Sequence, residues 1–173
     1  MSTPPSCAAR LRAALDAAEP KLRAMTDAES ARAPAPGKWS PRQIIGHLID
    51  SAANNHQRFV RGGLQDDLVF PGYAQEAWVT LQQYQDAQWM DLLVLWAAYN
   101  RHIAVVMTVI PVEARRRVRT EHSLDRIAMR EPASEAEATL EYLMNDYVDH
   151  LEKHMHQLLG AEWRSGAQLR GAL

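Results

Sequence analysis

Apolar residues recur every three or four positions through four separate stretches of this chain, and nowhere does a two-residue alternation persist. That periodicity constrains the fold more than any other feature, because a face repeating at about 3.6 residues is buried by a helix and not by a strand. In the first stretch, residues 8–25, Leu11, Leu15, Leu22 and Met25 share a face, and Pro20 is placed to kink or divide it. The second, residues 41–60, has the clearest start. Ser40 stands as N-cap, Pro41 takes the first helical position, Gln43 completes a capping box, and Trp39 and Ile44 stand as a hydrophobic staple. Arg61, Gly62 and Gly63 are expected to end it. The third, residues 88–109, carries Trp89, Leu92, Leu93, Trp96, Tyr99, Ile103 and Val106 at helical spacing, and Pro111 stops it. The fourth starts at Ser134, with Glu137 as a second capping-box acid, and runs to about Leu159 before Gly160. Its buried stripe is Leu140, Leu143, Tyr147, Leu151 and Leu158.

The expected fold is all-α: a four-helix bundle with a long connection between helices two and three, which holds a short helix near residues 76–84. A chain of 173 residues with 47% hydrophobic content suits one domain, spanning 1–173 with its core at about 8–160. A net charge of −2 offers no general attraction to nucleic acid. The cluster Arg115, Arg116, Arg117 and Arg119 reads as a solvated loop. The single cysteine, Cys7, excludes a disulfide within the chain and a thiolate-rich metal site. No signal-peptide core is visible and no apolar run approaches membrane-spanning length, so a cytoplasmic protein without membrane contacts is expected.

Three histidines point inward. His150 lies three after Tyr147, and His154 three after Leu151, so both fall on the buried stripe of helix four. At a spacing of four they can hold one ion. His47 lies three after Ile44 on the inner side of helix two. Any one of these could be a hydrogen-bonded core residue. Burying all three is costly unless each finds a partner, and one divalent cation would serve all of them. Three neutral nitrogens suit Zn, Ni or Fe(II) and leave a coordination position open. The stretch HLEKH (150–154) is not a zinc-protease helix, because Leu151 stands where H-E-x-x-H needs glutamate and Glu152 is turned about 100° further round.

The stretch GKWSPRQIIGHLIDSAANNHQRFVRG (37–62), followed much later by YVDHLEKHMHQLLG (147–160), resembles the DinB-like superfamily of metal-binding four-helix bundles, which is unrelated to the DNA polymerase sharing that label. The tryptophan-serine-proline start, the G-H-L after it and the late H-x-x-x-H-x-x-Q occur in order. FPGY (70–73) and LWAAYNRH (95–102) are similar to one branch of the family. The resemblance implies that His47, His150 and His154 bind one divalent metal. It also implies a range of activities: thiol S-transfer using a low-molecular-weight thiol such as bacillithiol or mycothiol, metal-dependent hydrolysis, or none assigned.

Ser51, Asn54 and Arg58 run along helix two from His47 and could contact an anionic or amide-bearing substrate; the alternative is an exposed flank with Arg58 at the helix C-terminus. Asp50 and Asp146 are candidate supports for the imidazoles. Asn55 and His56 read as structural or exposed, His156 as exposed and His122 as a loop residue, while the direction of His102 is open. Trp78 is placed to pack or to line a pocket mouth. The leading functional expectation is a metal-dependent enzyme that activates a thiol or water, with thiol S-transfer to a small electrophile first, hydrolysis second and a non-catalytic metal- or ligand-binding module third. Small-molecule substrates, no nucleic acid and a homodimer complete the expectation.

Overall fold

The computed structural model describes residues 5–165; the outer ends of the expected domain lie outside them. Eight α-helices follow in order: α1 (Cys7–Arg23), α2 (Asp27–Ser30), α3 (Pro41–Leu64), α4 (Gln75–Leu81), α5 (Trp89–Val109), α6 (Val112–Arg116), α7 (Leu124–Ile127) and α8 (Leu140–Leu159). The described residues contain no strand, only one isolated bridge between Leu68 and His122. The four long helices α1, α3, α5 and α8 form the bundle. α5 packs on α1 and α3, and α8 packs on the same two, so α1 and α3 occupy one diagonal although they are successive long helices.

α3 begins as its sequence dictates. Ser40 Oγ accepts from Gln43 N, and Gln43 Oε1 accepts from Ser40 N at 2.9 Å. It does not end at Gly62 and Gly63. A Cβ on Gly62 would lie 2.8 Å from Leu68 and 3.0 Å from Leu140, so this glycine permits close packing inside a continuing helix. α1 likewise runs through Pro20. Pro20 and Asp16 are both exposed, so the carbonyl left without its proline partner faces water.

α8 starts at Leu140 and not at Ser134. Thr139 is the N-cap, accepting from Tyr142 N at 3.0 Å. Ser134 opens only a 3₁₀ turn (Glu135–Glu137), and Glu137 accepts from Ala133 N instead. The reason is tertiary: Ala138 is buried and its carbonyl accepts from Arg119 N at 2.8 Å, which holds this backbone out of the helix. The second connection, residues 110–139, is therefore long as well. It ties to the first through Leu68 N to Glu121 O (2.9 Å) and Phe70 N to Ser123 Oγ (2.9 Å). Within it the arginine cluster is not uniformly solvated. Arg119 is buried and donates to Gly62 O at 3.0 Å and Ala114 O at 3.2 Å, whereas Arg116 and Arg117 are exposed.

The core includes Leu11, Leu15 and Leu22 of α1, Ile45 and Leu48 of α3, Trp89, Leu93 and Trp96 of α5, and Leu143, Val148 and Leu151 of α8. Leu158, expected on the stripe, is only partly buried at its edge. α5 corrects one expectation: it is 21 residues long and holds a window of 18 residues with mean hydropathy 1.4, long and apolar enough by length and composition alone to span a membrane. Half of that window is buried in the bundle. Its outer side leaves Val94, Leu95, Val105 and Val109 exposed.

Candidate metal centre

His47 projects from α3, and His150 and His154 project from successive turns of α8. The inward phase of each is set by the apolar residues beside it: Ile44 and Leu48 on one helix, Tyr147 and Leu151 on the other. Their Nε2 atoms converge. His150 Nε2 lies 3.2 Å from His47 Nε2 and 3.2 Å from His154 Nε2. One ligand nitrogen from each ring lies within 4.8 Å of the other two. Four nitrogens placed tetrahedrally at about 2.05 Å from a zinc-sized ion stand about 3.3 Å apart, so the two close edges match. As a hydrogen-bonded group the arrangement is poor, because the single lone pair or proton on His150 Nε2 cannot serve two neighbours well.

The electrostatics agree. Burial, then the charge of His154, pushes His47 down to about 4. Burial, then the charges of His154, His47 and Lys153, pushes His150 down to about 3. Burial also lowers His154. Near neutral pH all three are uncharged, as metal ligands must be. His154 Nδ1 donates to Gln157 Oε1 at 2.9 Å, which leaves its Nε2 as a lone pair aimed at the other two rings. His47 Nδ1 is buried without a hydrogen-bond partner among the described residues, and the Trp39 ring lies beside that imidazole at 5.2 Å.

The two aspartates do something else. Asp50 Oδ1 accepts from Tyr84 Oη and Gln82 Nε2, each at 2.8 Å. Asp146 accepts from Met129 N at 2.8 Å and Arg130 N at 3.1 Å. Neither supports an imidazole; both brace connecting segments. Glu152 pairs with Arg10 of α1 at 2.8 Å, away from the triad.

A cavity of about 350 Å³ opens beside the triad, lined by Ser51, Asn55, Arg58, Tyr73, Asp146 and Tyr147 among others. Ser51 and Arg58 therefore face it, and both are buried, so the exposed-flank alternative does not hold for them. Asn54 does not line this cavity; its amide donates to Asp50 O on its own helix. Its neighbour Asn55 takes the inward place, donating to Ser51 O and accepting from Arg58. His102 is exposed and stacks edge-on with His56, away from the cavity. His56 is partly buried beneath Tyr99, and His156 partly buried against Trp163. Trp78 packs on Tyr73, which itself lines the cavity.

Sequence reasoning assigned no role to Gln157 or Tyr73, and it read Asn55 as structural or exposed. The terminal Gln of H-x-x-x-H-x-x-Q, one turn beyond His154, was the available signal for the first. Tyr73 sits in an irregular segment where no periodicity gives direction. Its phenol hydrogen-bonds with Ser51, and burial, then the charge of Asp50, pushes it up to about 12.

Residues 10–158 match the family model of the DinB superfamily. The chain belongs to that superfamily. Among solved structures this DinB protein is similar to YfiT from Bacillus subtilis, with a TM-score of 0.72 at 20% identity over 88% of this chain and 82% of that one. YfiT is described as a probable metal-dependent hydrolase with an unusual four-helix bundle topology. At that identity the likeness establishes the four-helix bundle fold. A search of curated proteins gives no match.

Proposed function

We propose that this DinB protein is a divalent-metal-dependent hydrolase of a small molecule, with the ion held by His47, His150 and His154. The convergence of three uncharged Nε2 atoms at the edge of a cavity carries the reading. Zn, Ni and Fe(II) suit three imidazoles with an open position. A cation held there supplies the Lewis acidity that makes water nucleophilic near neutral pH. The likeness to YfiT, described as a probable metal-dependent hydrolase, favours water over a thiol as the nucleophile. Thiol transfer, the leading expectation from sequence, has no comparable observation behind it.

The chain's own groups have roles in the same cavity. Gln157 fixes the His154 tautomer. Tyr73 stays protonated at neutral pH and can donate a hydrogen bond to an oxygen gaining charge. Water adds to the carbonyl carbon, the C–O or C–N bond breaks, and one of the water's protons leaves on the departing group. A cytoplasmic homodimer acting on small molecules, with no nucleic-acid or membrane partner, completes the proposal.

The test is hydrolysis of a panel of aryl esters and amides by protein as purified, after chelation, and after return of Zn, Ni or Fe(II). Activity lost on chelation and regained with one of these ions is expected. A metal-binding protein that turns over none of the panel in any state would favour the non-catalytic module.

A further inference from the structure

Arg58 brings to the cavity a buried charge that the triad does not explain. It is 5% exposed, yet its bonds within the protein go to neutral oxygens. Nη1 donates to Asn55 Oδ1 at 3.3 Å and Nη2 to Pro71 O at 2.9 Å. A guanidinium remains charged when buried, and a buried one ordinarily lies against a carboxylate. Among the described residues no carboxylate forms an ion pair with Arg58. Asp146 is held by two backbone amides, and Asp50 accepts from Tyr84 and Gln82 through Oδ1 while its buried Oδ2 makes no bond to Arg58. Burial pushes the guanidinium down, which is the direction for a cation without its counter-ion. Two of its five N–H donors are used in those bonds.

We infer that the cavity takes a small molecule bearing a carboxylate, which is seated on Arg58 while the bond to be cleaved lies toward the three histidines. The second half of this inference rests on the hydrolase reading; the first half does not. A carboxylate fits better than a phosphate for two reasons. At the Arg58 end of the cavity, away from the ion the triad would hold, a single buried guanidinium balances a single negative charge, and its planar fork matches the two oxygens of a carboxylate. Arg126 and Lys153 are exposed at the rim of the same cavity and draw anions toward it without adding buried charge.

Helical rise separates residues 47 and 58 by roughly 16 Å along α3, and the Arg58 side chain leans back toward the helix N-terminus. The carboxylate and the scissile carbonyl must therefore be several bonds apart. A cavity of about 350 Å³ is at the small end of ligand sites. The substrate class is then an ester or amide of modest size with a free carboxylate at its far end. Trp39, Tyr73 and Tyr147 offer aromatic surface for its apolar middle.

The experiment is an NMR titration of benzoate, its uncharged analogue benzamide, and inorganic phosphate. It is run on metal-loaded and chelator-treated protein, and on Arg58→Gln and Arg58→Lys. Benzoate is expected to bind both forms of the wild type at least ten-fold more tightly than benzamide. The Gln variant should lose ten-fold or more, and the Lys variant should recover part of it. Equal affinity for benzoate and benzamide overturns the inference with no variant needed. So does phosphate binding the chelator-treated protein more tightly than benzoate, benzoate binding only when metal is present, or unchanged benzoate affinity in folded, chelator-treated Arg58→Gln. The chelated arm works without metal, so failure of the metal site and failure of the carboxylate site give different results.

Discussion

His47 Nε2 and His150 Nε2 lie 3.2 Å apart, although the two residues are 103 positions apart in the chain. Two helices have been brought together so that two desolvated, uncharged imidazoles meet edge to edge. His154 reaches the same nitrogen of His150 at 3.2 Å. Packing alone does not account for this, because apolar side chains at these positions would fill the space without a desolvation cost. A cation at the point of convergence would make each burial favourable.

Gln157 should govern affinity without touching the ion. Its Oε1 fixes His154 in the tautomer with a free Nε2. Gln157→Leu is expected to weaken metal binding about 10- to 100-fold, the usual effect of removing an outer partner. Gln157→Glu should retain or exceed wild-type affinity. Competition against a chromophoric chelator reads both; a Leu variant with unchanged affinity would remove Gln157 from the site.

The metal-free protein should weaken on acidification. In the unfolded chain each imidazole takes a proton near its ordinary 6.5, but in the folded chain burial holds His47 to about 4 and His150 to about 3. Between pH 6.5 and 4 the unfolded state binds more protons, so stability falls as pH falls. A loss on the order of 2 kcal/mol or more is expected across that window. Buried Asp50 and Asp146 are shifted upward and act in the opposite sense, so His150→Gln isolates the imidazole part. Urea midpoints measured every half pH unit should slope less in the variant; equal slopes would contradict the assignment.

Gly46, next to His47, has no room for a methyl group. A Cβ there would lie 2.1 Å from the Tyr84 ring, whose hydroxyl donates to Asp50. Gly46→Ala should cost about 1–3 kcal/mol or more in urea unfolding. Pairing it with Tyr84→Leu should recover part of the loss. No loss in the single variant would show that the ring yields freely.

Tyr147 joins the cavity wall to the core. Its hydroxyl donates to Asn100 Oδ1 at 2.5 Å, and both residues are buried. Tyr147→Phe strands the Asn100 carbonyl oxygen and should cost about 1–3 kcal/mol. Adding Asn100→Leu removes the stranded group, so the double variant should be less destabilised than the two single losses summed. Simple additivity in a double-mutant cycle would contradict this coupling.

The residues that could be read from sequence are those whose environment is local. Ser40 and Gln43 cap α3 because their partners are three residues away. The triad was legible because the apolar stripes of α3 and α8 fix the phase of His47, His150 and His154. Where the deciding partner is distant, the same letters misled. Ser134 and Glu137 also spell a capping box, yet Arg119 holds Ala138 and α8 begins later. Gly62 and Gly63 spell a stop, yet Leu68 and Leu140 pack where a Gly62 side chain would be, and α3 runs on to Leu64. Asp50 and Asp146 stand at helical spacing from the histidines, but their partners come from the irregular connections, where periodicity gives no direction. Asn54 and Asn55 are neighbours; which of them faces the cavity depends on a few tens of degrees of helix phase.

The most direct test of the central claim is the metal content of untagged protein by inductively coupled plasma mass spectrometry, beside His47→Ala, His150→Ala and His154→Ala. The account predicts about one ion of Zn, Ni or Fe per wild-type chain. It also predicts that each variant loses the ion while keeping a helical circular-dichroism spectrum. Wild-type protein that holds none of these metals even after incubation with each, or folded variants that keep the ion, would contradict it.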